Sequence, residues 1–177
     1  MPAAPPAAVQ SAAPETEQPA PPPPIDMQRV AALEQRAKSS PADAAVRTEL
    51  GNLYFDSKRF DQAIPWYEAS LKLNPREVGV STDLAVCYHY TGDPDRALKQ
   101  IETSLSIDPG HLKTLLNQGI IRAFGKQDLA GALQSWEAVV KIAPDSPEAA
   151  RARQGIDGLK AAHDANAAQG ARGASGS

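Results

Sequence analysis

Few residues of this chain have side chains suited to chemistry: one cysteine, Cys87, and three histidines, His89, His111 and His163. A cysteine nucleophile needs a base within hydrogen-bond reach. His89 is two positions from Cys87, which on a helix turns the two side chains to different faces. Inside the apolar run LAVCYHY, Cys87 reads as a small buried hydrophobe. The histidines fit no metal-ligand spacing. The acidic pair Asp93 and Asp95 lies in the turn TGDPD, where helix capping accounts for the carboxylates. There is no phosphate-cradling glycine loop and no activated-serine turn. The expectation is a non-enzyme with no catalytic residue, no metal and no cofactor.

Composition narrows the classes further. A chain of 177 residues suits one domain. A net charge of −3 with no concentrated basic patch points away from nucleic acid. No stretch approaches the roughly 18 apolar residues of a membrane span, so direct membrane insertion is not expected. No Lys or Arg precedes Arg29 and prolines break the early apolar stretches, so no secretory signal is read and a cytoplasmic location is expected. Residues 1–24 hold nine of the sixteen prolines and no apolar residue larger than Val9 apart from Met1, the composition of a disordered, semi-rigid spacer. Its PAAP and PAPPPP runs could serve a proline-reading domain, but no flanking Arg or Lys supports that use. Residues 164–177, small, polar and glycine-containing, read as a flexible tail.

The elements that must position any site repeat along the middle of the chain. Pro41, Pro75, Pro109 and Pro144 stand 34, 34 and 35 residues apart. Each interval carries two apolar stripes at helical spacing around a polar turn. Gly51 and Tyr54 precede Ala63, Tyr67 and Leu71; Ala85 and Tyr88 precede Ala97, Ile101 and Leu105; Gly119 precedes Ala132, Trp136 and Val139. The paired small residues allow a close helix crossing, and the large one fills the space beside it. One such pair cannot bury its own stripe, so the pairs must stack. Asp61, Asp93 and Ser146 are the expected N-caps, with Pro94 and Pro147 at first helical positions. Pro65 lies inside its helix and removes one hydrogen bond. One extra residue in AFGKQD accounts for the longer third spacing.

This pattern resembles the tetratricopeptide repeat family, whose units carry Leu-Gly, Tyr, Ala, an aromatic residue and Pro at these offsets. The resemblance implies an all-α, helix–turn–helix repeat solenoid, a right-handed superhelix with disordered N- and C-terminal tails. Its units would span 44–77, 78–111 and 112–145, with a flanking helix at 25–40 and a capping helix at 146–163. The family's early Trp is replaced by Arg47, Ser81 and Leu115, and Gln118 and Arg122 replace Leu and Tyr, so the third unit should pack most loosely. Gly155 and Gly158 should weaken the capping helix by about 1 kcal/mol each.

In similar proteins the first helices of successive units line a concave surface that holds peptides. Here that face carries Thr48, Glu49, Asn52, Phe55 and Asp56, then Thr82, Asp83, Val86, His89 and Tyr90, then Lys113, Leu116, Asn117 and Ile120. Phe124 either joins them or packs under its own turn. Some family members clamp a chaperone's C-terminal carboxylate with two Lys, two Asn and an Arg. Asn52 and Lys113 match that set, whereas Thr48, Asp83 and Asn117 depart from it, and Asp83 would repel a carboxylate. The expected partner is another protein's peptide or helix, part basic and part apolar. The alternative is a homo-oligomer joined through its end helices and acting as an assembly factor. The alanine-proline spacer resembles those following the membrane anchor of bacterial repeat proteins, including some that assist cytochrome c maturation; if the N-terminus is truncated, the domain would face the periplasm of a membrane-anchored protein.

Overall fold

A computed structural model of the chain describes residues 22–174, so the expected spacer lies almost wholly outside the described residues. Eight α-helices follow one another within that span: α1 Met27–Ser39, α2 Ala44–Asp56, α3 Phe60–Leu73, α4 Val78–Tyr90, α5 Pro94–Ile107, α6 Leu112–Ile120, α7 Leu129–Ile142 and α8 Pro147–Ala174. The pairs α2/α3, α4/α5 and α6/α7 are helix hairpins that stack in chain order, with α1 and α8 covering the two ends. None of these helices is long and apolar enough to cross a membrane.

The helix starts follow from local chemistry. Asp26, Asp43, Asp93 and Asp128 each accept a hydrogen bond from a first-turn backbone N–H. Ser146 Oγ accepts from the Ala149 N–H at 3.0 Å, and Pro147 opens α8 without a lost donor. The expected cap at Asp61 is not formed. α3 starts at Phe60 with Arg59 before it, and no side chain caps it. Phe60 is drawn into the helix by its stacking on Tyr90 and its edge contact with Phe55. Asp61 sits in the first turn, where its charge still favours the helix dipole.

Each hairpin turns through one residue of positive φ: Lys58 at 55°, Gly92 at 85° and Gln127 at 55°. The close crossings are as the small residues demand. A Cβ on Gly51 would lie 2.5 Å from the Tyr67 ring, and one on Gly119 would run into the Trp136 indole. Ala63, Ala97 and Ala132 are completely buried beside them. The core runs the length of the stack as two buried clusters, one through α1–α5 with Ile121 of the third hairpin and one through α6–α8, which meet at Leu105.

Two features depart from a uniform repeat. After α6 the backbone forms a π-turn, Ile121–Gly125, which takes up the extra residue of the third unit. The two polar replacements in this unit are satisfied internally: Ser135 donates to Gln118 at 2.9 Å and Arg122 donates to the Gly131 carbonyl at 3.1 Å. The second departure is α8, which stays helical past residue 163 to Ala174. Its alanine-rich sequence favours that continuation. Gly155 is also more than a weak point, because a Cβ there would lie 2.8 Å from the Trp136 ring.

These contacts separate glycines that look alike in sequence. Gly119→Ala should lower stability by about 1–3 kcal/mol through overpacking against Trp136. Gly158→Ala, with nothing within 4 Å of its Cβ position, should raise it by about 0.5–1 kcal/mol. Urea denaturation of both variants checks the contrast, and equal midpoints would contradict the crossing described here.

Candidate functional site: a concave groove

The first helices of the hairpins, together with α8, enclose an open cavity of about 780 Å³. Phe55 enters it from α2, Val86 from α4, and Leu116 and Ile120 from α6, with Phe124 at its mouth. Trp136 backs it from α7, held by a 3.1 Å hydrogen bond from its indole N–H to the Leu116 carbonyl. Asp83, Lys113 and Asn117 line the same cavity. Asp83 and Lys113 form an ion pair there. Burial raises the Asp83 carboxyl above its ordinary range, opposed by Lys113. The polar end of the groove is therefore already neutralised from within.

The other expected site residues lie elsewhere. Thr82 is completely buried, donating to the Val78 carbonyl at 2.8 Å and bonded to the Thr114 hydroxyl at 2.6 Å. Thr48 bonds the Ser70 hydroxyl at 2.7 Å across its own hairpin. Thr82 is thus turned into the stack, while the half-buried Thr48 bonds within its own hairpin. Glu49 is paired with Arg29 of α1. Asn52 is exposed and accepts the Tyr67 hydroxyl at 2.8 Å. Asp56 is exposed at the end of α2. Tyr90 is exposed too, but stacks on Phe60 with 4.5 Å between ring centroids and does not line the cavity.

A family model described as tetratricopeptide repeat matches residues 54–118. The chain carries tetratricopeptide repeats across that stretch. Its fold is similar to that of YrrB, a TPR protein with an unusual peptide-binding site, with a TM-score of 0.64 and 22% identity over 71% of this chain and 64% of that one. The match thus takes in less than two thirds of YrrB. The first TPR of Spaghetti (RPAP3), bound to an HSP90 peptide, gives 0.56 at 23% identity, covering 77% of this chain and 97% of the other. MamA gives 0.62 at 14% identity over 72% and 77%. A comparison with curated proteins finds no significant match.

The groove has a wall that sequence reasoning missed. Glu148, Arg151, Gly155, Gly158, Leu159 and Ala162 of α8 close it opposite α6. Their spacing of three and four residues is visible in the sequence, but a helix read as a cap was expected to show its polar face to solvent. Cys87, by contrast, is removed from any nucleophilic role. It is fully buried, and burial, with Asp83 adding to it, pushes its thiol up to about 12. No group of three metal-ligating side chains occurs among the described residues.

His89 is half-buried, and its Nδ1 has no hydrogen-bond partner among the described residues. Burial lowers its pKa. In the unfolded chain His89 takes a proton as pH falls below about 6.5, while in the folded chain it resists until lower pH. Stability should therefore be lost as pH drops through that window. The raised Asp83 carboxyl acts in the opposite sense, within the lower carboxylate range. His89→Phe, which supplies the residue type found at Phe55, should shrink the fall in thermal midpoint between pH 7.5 and pH 5.5. An unchanged fall would assign it to other groups.

Proposed function

We infer that this protein is a non-catalytic binding module that holds an apolar-faced segment of another protein in its concave groove. The observation that carries this is the cavity itself. Four apolar side chains from three successive hairpins line one open volume, Phe55 and Ile120 half-buried and Val86 and Leu116 buried. Apolar surface left open inside a rigid concavity is the usual mark of a binding site. The fold is shared with YrrB, which has a peptide-binding site, and with the Spaghetti domain seen with an HSP90 peptide.

The charges refine the expected partner. Glu49 and Asp83, expected to steer a basic segment, are each paired within the chain, with Arg29 and Lys113. Their capacity to attract a partner's cations is correspondingly reduced, so affinity rests on apolar contact more than on charge.

Self-assembly through the end helices has less support. A further unit would cross α1 at Arg29, 34 residues before Ala63, and α8 at Gln154, 35 residues after Gly119. Long polar side chains replace the small residues that every internal crossing uses, which weighs against continuation of the stack at either end.

Partners captured by the full chain, followed by surface-based kinetics on the purified pair, test the groove. Ile120→Ala should speed dissociation about 5- to 30-fold, or about 1–2 kcal/mol, with association little changed. Glu49→Lys should alter neither rate much. Undiminished binding by Ile120→Ala together with Val86→Ala would move the interface off the concave face.

A further inference from the structure

The third hairpin breaks the repeat at one place, and the break faces the groove. Counted back from the positive-φ turn residues Lys58, Gly92 and Gln127, the third residue is Phe55, His89 and Phe124 in turn. Phe55 and His89 are half-buried: Phe55 packs edge-on against Phe60 and Tyr67, and His89 packs against Tyr90. Phe124 is 72% exposed. The difference is the added residue. Phe55 and His89 come four residues after Gly51 and Ala85, but Phe124 comes five after Gly119. One residue of helix is a rotation of about 100°. The inward position four residues after Gly119 is taken by buried Ala123, and the ring is swung to the cavity mouth.

The π-turn that does this is held firmly. The Lys126 N–H reaches back to the Ile121 carbonyl at 3.2 Å, and Arg122 ties the turn to Gly131 and Ser135 of α7. Gly125 lies so close to the second hairpin that a Cβ would come within 2.8 Å of Pro94 and 3.2 Å of the His89 ring. Lys126 also bonds Asp95 of α5 at 2.7 Å. A feature fixed on two hairpins at once, and exposing an aromatic ring, is a preorganised contact.

We propose that this π-turn is the recognition element of the groove, presenting Phe124 as an aromatic anchor for the apolar face of an amphipathic helix from a partner protein. The proposal rests on the groove being the binding face. Two turns of a helix, about 11 Å long and 10 Å across, occupy on the order of 850 Å³, which matches a cavity of about 780 Å³. Across from Phe124, Gly158 and Ala162 leave α8 without a side-chain ridge, so a ridge of the incoming helix can seat there. Glu148 and Arg151 flank this wall without an ion pair among the described residues, and take opposite charges on the partner's polar shoulders.

The test uses a phage-displayed library of roughly 16-residue segments, half patterned as amphipathic helices and half carrying a fixed central proline that breaks a helix. Selection is on the full chain, and enriched peptides are titrated by calorimetry against the wild type and three variants. Helix-patterned peptides should be enriched. Phe124→Ala should weaken them about tenfold or more, Ile120→Ala should weaken them too, and Tyr90→Ala, exposed but outside the cavity, should leave them unchanged. Equal enrichment of proline-bearing peptides would overturn the helical partner. Peptides sensitive to Ile120→Ala but not to Phe124→Ala would overturn the role of the π-turn and leave the groove standing. Insensitivity to both would overturn the groove as well.

Discussion

Everything in this structure depends on one contact made three times, the crossing of two helices where a residue without a side chain, or with only a methyl, meets a large one. Gly51 lies against Tyr67 and Gly119 against Trp136, with no room for a Cβ at either. At the middle crossing Ala85 and Ala97 are completely buried beside Ile101. The close approach sets the angle of each hairpin, and the angle sets how the next hairpin stacks. Stacking then decides which helix faces turn inward to the groove. The same Trp136 that closes the third crossing against Gly119 also lies against Gly155 of α8 and forms the back of the cavity. Packing and binding surface therefore share an atom-level support, and a change at this ring should be felt at both.

Polar groups follow the same economy. The hydroxyls of Thr48, Ser70, Ser81, Ser104, Thr82 and Thr114 sit between helices and bond one another or backbone carbonyls. Buried hydroxyls with partners cost little, and their small size keeps the helices close. The convex side uses longer partners, with Tyr88 donating to Glu68 at 2.6 Å while the Arg96 guanidinium covers its ring at 4.1 Å. The groove is left as the face lined mainly by apolar side chains, Phe55, Val86, Leu116 and Ile120 among them.

Much of this was legible in the chain before any coordinates. Glycine, alanine and a large residue in register at 34-residue spacing can satisfy little except a repeated hairpin, and Asp93 followed by Pro94 marks a helix start by its own chemistry. Phe55, Val86, Leu116 and Ile120 could be placed on one face by counting alone. What counting could not supply was the small rotation that decides between a shoulder and a face. Thr48 and Thr82 lie near that line, their hydroxyls bonded between helices to neighbouring hydroxyls and carbonyls. The α8 wall escaped for another reason. Its contribution is partly the absence of side chains at Gly155 and Gly158, and a missing side chain reads in sequence as weakness, not as space.

The extra residue of the third unit shows how far a count can carry. That one residue was inserted is plain from Pro109 and Pro144. A loop could have absorbed it at no cost, leaving Phe124 equivalent to Phe55 and tucked under its own turn. Instead the helix takes it up, as the π-turn Ile121–Gly125. That choice gives up the regular hydrogen-bond ladder and leaves a phenylalanine in water, two penalties that the flanking bonds from Arg122 and Lys126 only hold in place. Those bonds fix the turn without covering the ring. The exposed aromatic surface is thus a standing cost to the free protein, one that any apolar surface laid over it would remove.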